Sequence, residues 1–487
     1  MQQKKGQEYY KNILTGLQYI LALLVWVYIV YRAFFIEIIH DEAISYYLVK
    51  INYLKALAGT FNTHWLNSIF IKLVSLLPGQ DEVWKLRLFS VFSWLPYVFC
   101  IIKIGGRLNN KFLGWLFFTA CIFNPFLILY FSLARGYAPA SALLLYSIWQ
   151  AGKLTDLQEY RPQKWMSVFV PAALSLLSNF SVLYFFLALI AAYVFCLAYA
   201  GKWKLLTLKN SSSPGLVILF SVLFAGSSLL IIKFYSKEAE FEGGINLIDG
   251  LFTSQIKKAG YQFLPEGAYH IAGMMWFALF LLAFGLSCYW LYKEKQVTLL
   301  FLVTFISAGI ILLNALFHLF LGTVYLSDRR ALFSYCLLIL SACFLFDRLG
   351  LSTGYKKTIL STLAAALSGI IMFNAYRNIN TVYFTEWPVQ NKTKEALDFL
   401  SAAKAKKIGL DLWQYSVAKN YYTLAFPKKY GFVLGKADGS IIANQRQNLD
   451  GYDYILLSEP PKEKSQTWTT VLYYPLYGTT VLKYTGK

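Results

Sequence analysis

The chain has 487 residues, of which 57% are hydrophobic, 18% aromatic and only 14% charged. Soluble proteins carry about 25% charged residues. This deficit, with a mean hydropathy of +0.48, excludes a soluble globular enzyme, a disordered chain and a secreted disulfide scaffold. The net charge of +20 lies mainly between apolar segments, which is typical of membrane topology and argues against nucleic-acid binding.

Apolar runs long enough to cross a bilayer predict about eleven transmembrane helices. The runs cover residues 13–34, 88–104, 112–132, 136–151, 165–179, 182–200, 215–235, 271–291, 297–320, 331–346 and 358–375. If the N-terminus is cytoplasmic, every predicted inner segment is basic, as the positive-inside rule requires. The sequence therefore predicts a cytoplasmic N-terminus and a polar tail outside the cytoplasm.

The first predicted outer loop, residues 35–86, carries two amphipathic stretches. Apolar residues recur at helical spacing from Ile44 to Leu54 and from Leu66 to Leu77, which predicts two helices with one apolar face each. We expect these helices to lie flat on the outer membrane surface. They either wall a cleft at membrane level or simply anchor the loop.

The tail differs in composition from the membrane region. A helix is predicted over residues 392–406, and strands over residues 407–412, 452–458, 469–473 and 480–484. We therefore divide the chain into residues 1–376 and residues 377–487. The predicted fold class is an all-α polytopic membrane domain followed by a small extracytoplasmic α/β domain.

Ionisable side chains are nearly absent from the middles of the predicted spans and gather at their outer ends. Because ion-coupled transporters place coupling residues near the midplane, this distribution argues against a transporter. The outer groups are His40, Asp41, Glu42, His64, Arg135, Asp328, Arg329 and Arg330.

Carboxylates and guanidinium groups on one membrane face suit the transfer of a sugar from a phosphate carrier to a hydroxyl. Such a transfer needs a base for the hydroxyl proton and cations for the departing phosphate. We predict that Asp41 is the base and that Arg135, with Arg329 or Arg330, binds the phosphate. For each of these residues the alternative is a solvated charge or a lipid anchor at the end of a span.

Five short stretches, in this order, resemble motifs of the GT-C superfamily of integral-membrane glycosyltransferases, which use polyprenyl-phosphate-linked sugars. They are His40–Ala43 (HDEA), Asn62–Ser68 (NTHWLNS), Lys85–Ser90 (KLRLFS), Ala134–Tyr137 (ARGY) and Asp328–Arg330 (DRR). The relatives include protein O-mannosyltransferases, the lipid A aminoarabinose transferase and transferases of the lipopolysaccharide-core type. The resemblance implies that Asp41 is the base and that Arg135 and Arg330 contact the lipid phosphate. It also places Tyr137 among the substrate-binding residues.

Four further residues complete the candidate site. Glu42 either shares in catalysis or only provides a negative charge at a helix N-terminus. His64 either binds substrate or is structural, and Trp65 follows it where the superfamily usually has proline. Lys257 and Lys258 in the second long outer loop either help to bind the carrier phosphate or form a solvated face.

The sequence leaves open a divalent cation on Asp41 and Glu42. A site shared by two loops lacks an obvious partner, because no acidic residue lies between Glu82 and Asp156. No organic cofactor is predicted, and the six cysteines, all in apolar stretches, predict neither a disulfide nor a zinc site.

The function predicted from these residues is inverting glycosyl transfer from a polyprenyl-phosphate donor. The acceptor is the hydroxyl of a lipid, glycan or protein, and the expected location is the bacterial inner membrane. Two alternatives stay open: a flippase, polymerase or ligase of lipid-linked oligosaccharides, and a non-catalytic membrane scaffold.

Overall fold

The computed structural model describes residues 2–51, 53, 64–78, 82–202, 244, 246–261, 263–349, 354–387, 391–436, 452–460, 468–475 and 478–485. The described residues are mostly helical and include a small C-terminal sheet. They form two compact units. Unit 1 comprises Met1–Ile29, Ser90–Phe131 and Gly136–Ile379, and unit 2 comprises Val30–Phe89, Ser132–Arg135 and Asn380–Lys487.

The helices follow the chain in order. They are α1 (Gln2–Phe35), α2 (His40–Ile51), α3 (Trp65–Val74), α4 (Val83–Gly105), α5 (Lys111–Ile122), α6 (Pro125–Phe131), α7 (Tyr137–Asp156), α8 (Pro162–Ser178), α9 (Leu183–Tyr199), α10 (Ser254–Gly260), α11 (Glu266–Glu294), α12 (Leu299–Leu321), α13 (Asp328–Arg348), α14 (Gly354–Arg377), α15 (Thr393–Ala402), α16 (Leu412–Val417) and α17 (Thr423–Ala425). The strands are β1 (Lys407–Leu410), β2 (Val433–Lys436), β3 (Tyr454–Leu457), β4 (Trp468–Tyr473) and β5 (Thr480–Tyr484).

In the described part of the chain, seven helices are long and apolar enough to cross a membrane, so the protein is a multi-pass membrane protein. The bent pair α5–α6 makes eight if it is one span; its 54° bend lies at Asn124 and Pro125. The Asn124 side chain accepts the Phe126 backbone N–H at 2.9 Å and so caps α6.

The predicted count of eleven spans is not confirmed. The runs at 136–151 and 165–179 form α7 and α8, which are not among the candidate spans. The run at 215–235 lies outside the described residues.

Unit 2 contains both predicted helices of the first outer loop, which are confirmed as α2 and α3. The buried face of α2 packs against helices of the tail, and the rings of Tyr46 and Tyr421 meet edge to face at 5.2 Å. Leu48 belongs to the same core, whereas Ile51 is 57% exposed. Part of the apolar face expected to lie on lipid is therefore covered by protein.

The tail of unit 2 is a five-stranded mixed sheet in the order β2-β1-β3-β5-β4. Strand β1 is parallel to β2 and β3, and β5 is antiparallel to β3 and β4. The predicted helix and four predicted strands are confirmed as α15, β1, β3, β4 and β5. Strand β1 ends two residues earlier than predicted because the Asp411 carboxylate accepts the Gln414 backbone N–H at 2.9 Å and starts α16.

Candidate active site

Asp41 and Arg135 lie side by side in unit 2. Asp41 is in the first turn of α2, and Arg135 ends the short turn of residues 132–135. The Arg135 Nη2 atom is 3.3 Å from Asp41 Oδ2, and Nη1 donates to the Asp41 backbone carbonyl, also at 3.3 Å. The two side chains are 3% and 9% exposed. Residues 94 positions apart thus form a nearly buried ion pair, although their catalytic roles stay predictions.

Glu42, next to Asp41, forms a second ion pair that is fully buried. Its carboxylate accepts two hydrogen bonds from Arg87, at 2.8 Å from Nε and 2.6 Å from Nη2. Glu42 also accepts the backbone N–H of Ala134 at 2.6 Å and that of Ile39 at 3.2 Å. Each carboxylate oxygen therefore accepts two hydrogen bonds. This arrangement fits a role in positioning the Arg135 turn better than a role as base.

Arg87 also binds the end of the first helix. Its Nη1 atom donates to the carbonyls of Ala33 at 3.1 Å and Ile36 at 2.7 Å, and Nη2 donates to that of Glu37 at 3.0 Å. The last carbonyls of a helix lack partners within the helix, and a cation there is favoured by the helix dipole. Arg87 consequently joins the end of α1, the start of α2 and the start of α4.

The Arg135 turn is held from its other side by Asn67 of α3, whose side-chain Nδ2 donates to the Ala134 carbonyl at 2.9 Å. His64 is buried at the N-cap position of α3. No role is predicted for Asn67 or Arg87 from the sequence. Both residues lie inside stretches that resemble superfamily motifs. Arg87 is also a charged residue near the start of an apolar span, which is a second reason to expect a role for it.

A metal ion does not fit Asp41 and Glu42 jointly. The lone pairs of Glu42 are engaged by N–H donors, and the adjacent guanidinium of Arg87 would repel a cation. Among the described residues, no group of three or more histidine, cysteine, aspartate or glutamate side chains could hold a metal.

The other predicted site residues belong to unit 1. Arg329 and Arg330 lie in the first turn of α13, behind Asp328. The Asp328 backbone N–H donates to Ser254 Oγ at 3.0 Å, and its carbonyl accepts from Gln255 Nε2 at 2.8 Å. Helix α10, which starts at Ser254, therefore holds the start of α13.

The same helix α10 carries both lysines of the prediction. Lys257 forms an ion pair with Glu266, and the Lys258 ammonium lies 5.2 Å from the centre of the Phe126 ring. Tyr137 is buried, with its ring 4.6 Å from that of Tyr130. Lys257, Lys258 and the DRR stretch are thus neighbours in unit 1, and the pocket that would join them to Asp41 stays a prediction.

Glu37, which follows the end of α1, has a raised pKa. Its Oε2 atom accepts the Lys394 backbone N–H at 2.9 Å. Burial raises the pKa of Glu37 from its ordinary value of 4.5 to about 7, although the Lys394 hydrogen bond acts in the opposite direction. The charges that act on Glu37 are those of Lys392, Lys394 and Glu395. Ionised Glu37 is therefore disfavoured by the folded state.

We expect Glu37→Gln to stabilise the protein at high pH. A carboxyl group whose pKa is raised by folding contributes stability below its unfolded pKa, and this contribution is lost as pH rises toward the folded pKa. The contribution of Glu37 to the stability of the native protein should therefore decrease as the pH rises from about 4.5 to about 7. Glutamine accepts the same hydrogen bond without ionising, so the difference in melting temperature between variant and native protein should grow from pH 5 to pH 8.

Glu459→Gln is the matched control for this pH series, since Glu459 is an exposed glutamate of the same unit. A melting-temperature difference that is constant with pH for Glu37→Gln, or equal to that of the control, would contradict the assignment.

The fold itself has relatives among solved structures. ArnT from Cupriavidus metallidurans in the apo state superimposes with a TM-score of 0.54 at 10% identity, covering 97% of this chain and 98% of ArnT. The chain has the fold of ArnT. ArnT from the same organism bound to undecaprenyl phosphate matches with a TM-score of 0.52 at 10% identity, covering 96% and 97% of the two chains. A mostly helical fold with a small C-terminal sheet, as in ArnT, is thus confirmed, whereas the count of eleven spans is not.

A third structure, the arabinofuranosyltransferase AftD from Mycobacteria, matches with a TM-score of 0.42 at 12% identity. The match covers 97% of this chain and 40% of AftD. A TM-score of 0.42 does not establish a shared fold. No protein-family model matches the chain, and no curated protein matches its sequence.

Proposed function

We propose that this protein is an inverting glycosyltransferase that moves a sugar from a polyprenyl-phosphate carrier to an acceptor hydroxyl outside the cytoplasm. The observation that carries the proposal is the nearly buried ion pair between Asp41 of the first predicted outer loop and Arg135 of the turn 132–135. It is supported by the ArnT fold, because ArnT has been solved with undecaprenyl phosphate bound. A lipid-anchored phosphate would bring the sugar to the membrane surface, where a site at the end of α1 can meet it.

The chemistry follows from the two side chains. The acceptor oxygen attacks the anomeric carbon, its proton passes to the Asp41 carboxylate, and the bond between that carbon and the phosphate oxygen breaks. The polyprenyl phosphate leaves with the bonding electrons. Attack from the face opposite the phosphate inverts the anomeric centre.

Arg135 has two tasks in this proposal. Its contacts with the Asp41 side chain and backbone fix the orientation of the base. Its guanidinium charge also stabilises the negative charge that develops on the leaving phosphate. Arg329 and Arg330 would add positive charge to the same phosphate, and Lys257 and Lys258 would bind it as it leaves.

The orientation proposed from the basic loops puts the N-terminus in the cytoplasm of a bacterial cell and residues 377–487 outside it. The acceptor, whether lipid, glycan or protein, would approach from the outside.

The test is a donor panel. Purified full-length protein is incubated with polyprenyl phosphates that carry different radiolabelled sugars, together with an extract of envelope lipids and glycans. We expect one donor to be consumed, with label in the acceptor and free polyprenyl phosphate released. Transfer that proceeds equally well from a nucleotide sugar, or movement of the intact donor across vesicles without cleavage, would contradict the proposal.

A further inference from the structure

Unit 2 contains a cavity of about 690 Å³ that does not include Asp41, Glu42 or Arg135. Cavities of this size commonly accommodate small molecules. All of its lining residues belong to unit 2 and come from four segments: Phe34–Glu37, Glu82–Trp84, Lys394, and Tyr421, Tyr422 and Ala425–Tyr430.

The floor of the cavity lies where two candidate spans end. The first span finishes at Phe35 and the second begins at Val83, so we expect this part of the lining to lie near the membrane surface. Phe34 is 48% and Phe35 69% exposed. The Phe34 ring stacks on Trp84 with centroids 5.0 Å apart and planes 7° apart. Exposed aromatic side chains at the end of α1 thus form part of the cavity lining.

Three lysines add positive charge to the lining. Lys394, Lys428 and Lys429 line the cavity. Lys429 also forms an ion pair with Asp398, whose Oδ1 atom lies 2.7 Å from the Lys429 Nζ atom. Within the described part of the chain, Lys394 and Lys428 form no ion pair. Such lysines next to an aromatic wall at a membrane surface are suited to the phosphate of a lipid headgroup.

Two acidic residues, Glu37 and Glu82, also line the cavity and reduce its positive charge. The Glu82 carboxylate accepts the indole N–H of Trp84. Because burial raises the pKa of Glu37 to about 7, this carboxyl group is largely protonated in mildly acidic conditions. A protonated carboxyl group can donate a hydrogen bond to a phosphate oxygen.

We propose that this cavity binds the headgroup of a membrane phospholipid. Lys394 and Lys428 contact the phosphate, and Glu37 lies beneath it. The hydrocarbon chains run into the bilayer along Phe34 and Phe35. Such a lipid would join the end of α1 to the tail of unit 2, in addition to any carrier lipid at Asp41.

The test measures retention of dioleoylphosphatidylglycerol on the purified full-length protein by native mass spectrometry. Lys428→Glu should lower the apparent affinity about tenfold, because it replaces an attraction by a repulsion at the phosphate. Lys483→Glu is the matched control, since Lys483 is an exposed lysine of the same sheet domain outside the cavity. Ala425→Trp should also lower retention, because the indole ring occupies part of the cavity and leaves every charge in place.

Two further probes separate the sources of binding. Dioleoylglycerol, which lacks the phosphate, should not be retained, and an excess of inorganic phosphate, which lacks the chains, should displace the phospholipid only weakly. Equal loss in Lys428→Glu and Lys483→Glu would overturn the proposal. Equal retention of dioleoylglycerol would overturn it as well, as would full retention by an Ala425→Trp protein that melts like the native one.

Discussion

Replacing Asp41 by asparagine is expected to lower the rate of sugar transfer by about a thousandfold, within the range that a general base contributes. Asparagine keeps the shape of the side chain and can still accept a hydrogen bond from Arg135, so the fold should be retained. The measurement is the initial rate of label transfer from the donor identified in the panel, at saturating donor and acceptor.

Two variants accompany Asp41→Asn. Asp156→Asn makes the same chemical change at an exposed carboxylate in unit 1 and should leave the rate unchanged. Glu42→Gln should cost much less than Asp41→Asn, because glutamine can still accept the Ala134 N–H through its carbonyl oxygen. A near-native rate in Asp41→Asn, or equal losses in Asp41→Asn and Glu42→Gln, would exclude Asp41 as the specific base.

Replacing Arg87 by methionine should destabilise the protein by about 3–5 kcal/mol, because it leaves the buried Glu42 charge without a partner. Both side chains of this pair are fully buried. The carbonyls of Ala33, Ile36 and Glu37 would lose their donor at the same time. Unfolding can be followed with a thiol-reactive dye, since five of the six cysteines are buried and none is in a disulfide.

The double variant Arg87→Met with Glu42→Gln separates charge from packing. It should recover a large part of the lost melting temperature, because no buried charge is then unpaired. Arg161→Met serves as the control, since Arg161 also pairs with a glutamate but its side chain is 62% exposed; its effect should be below about 1 kcal/mol. An Arg87→Met protein that melts like Arg161→Met would refute the role of the buried pair.

The Asp41–Arg135 pair was predictable because each residue stands in a short motif and the order of motifs resembles that of a known superfamily. The Glu42–Arg87 pair was not. Both residues were visible as charges beside apolar segments, but helical periodicity relates only neighbours within a segment. A contact across 45 positions depends on how α1, α2 and α4 meet.

The tail shows where local patterns suffice and where they do not. Alternating or continuous apolar residues predicted β1, β3, β4 and β5, which pair as a sheet. Strand β2, with the sequence VLGK, has four residues and a glycine, and so gives little pattern. Helix α16 has six residues, fewer than two turns, which is too short for a helical period to emerge.

Helix α2 belongs to two environments at once. Its first turn holds Asp41 and Glu42, and its next two turns lie against the aromatic rings of the tail. A change in the size of Tyr46 or Tyr421 is therefore expected to shift the carboxylates one turn away. The tail of this protein is for that reason not an exchangeable module, and a chimera that borrows it from a relative would have to import the first outer loop with it.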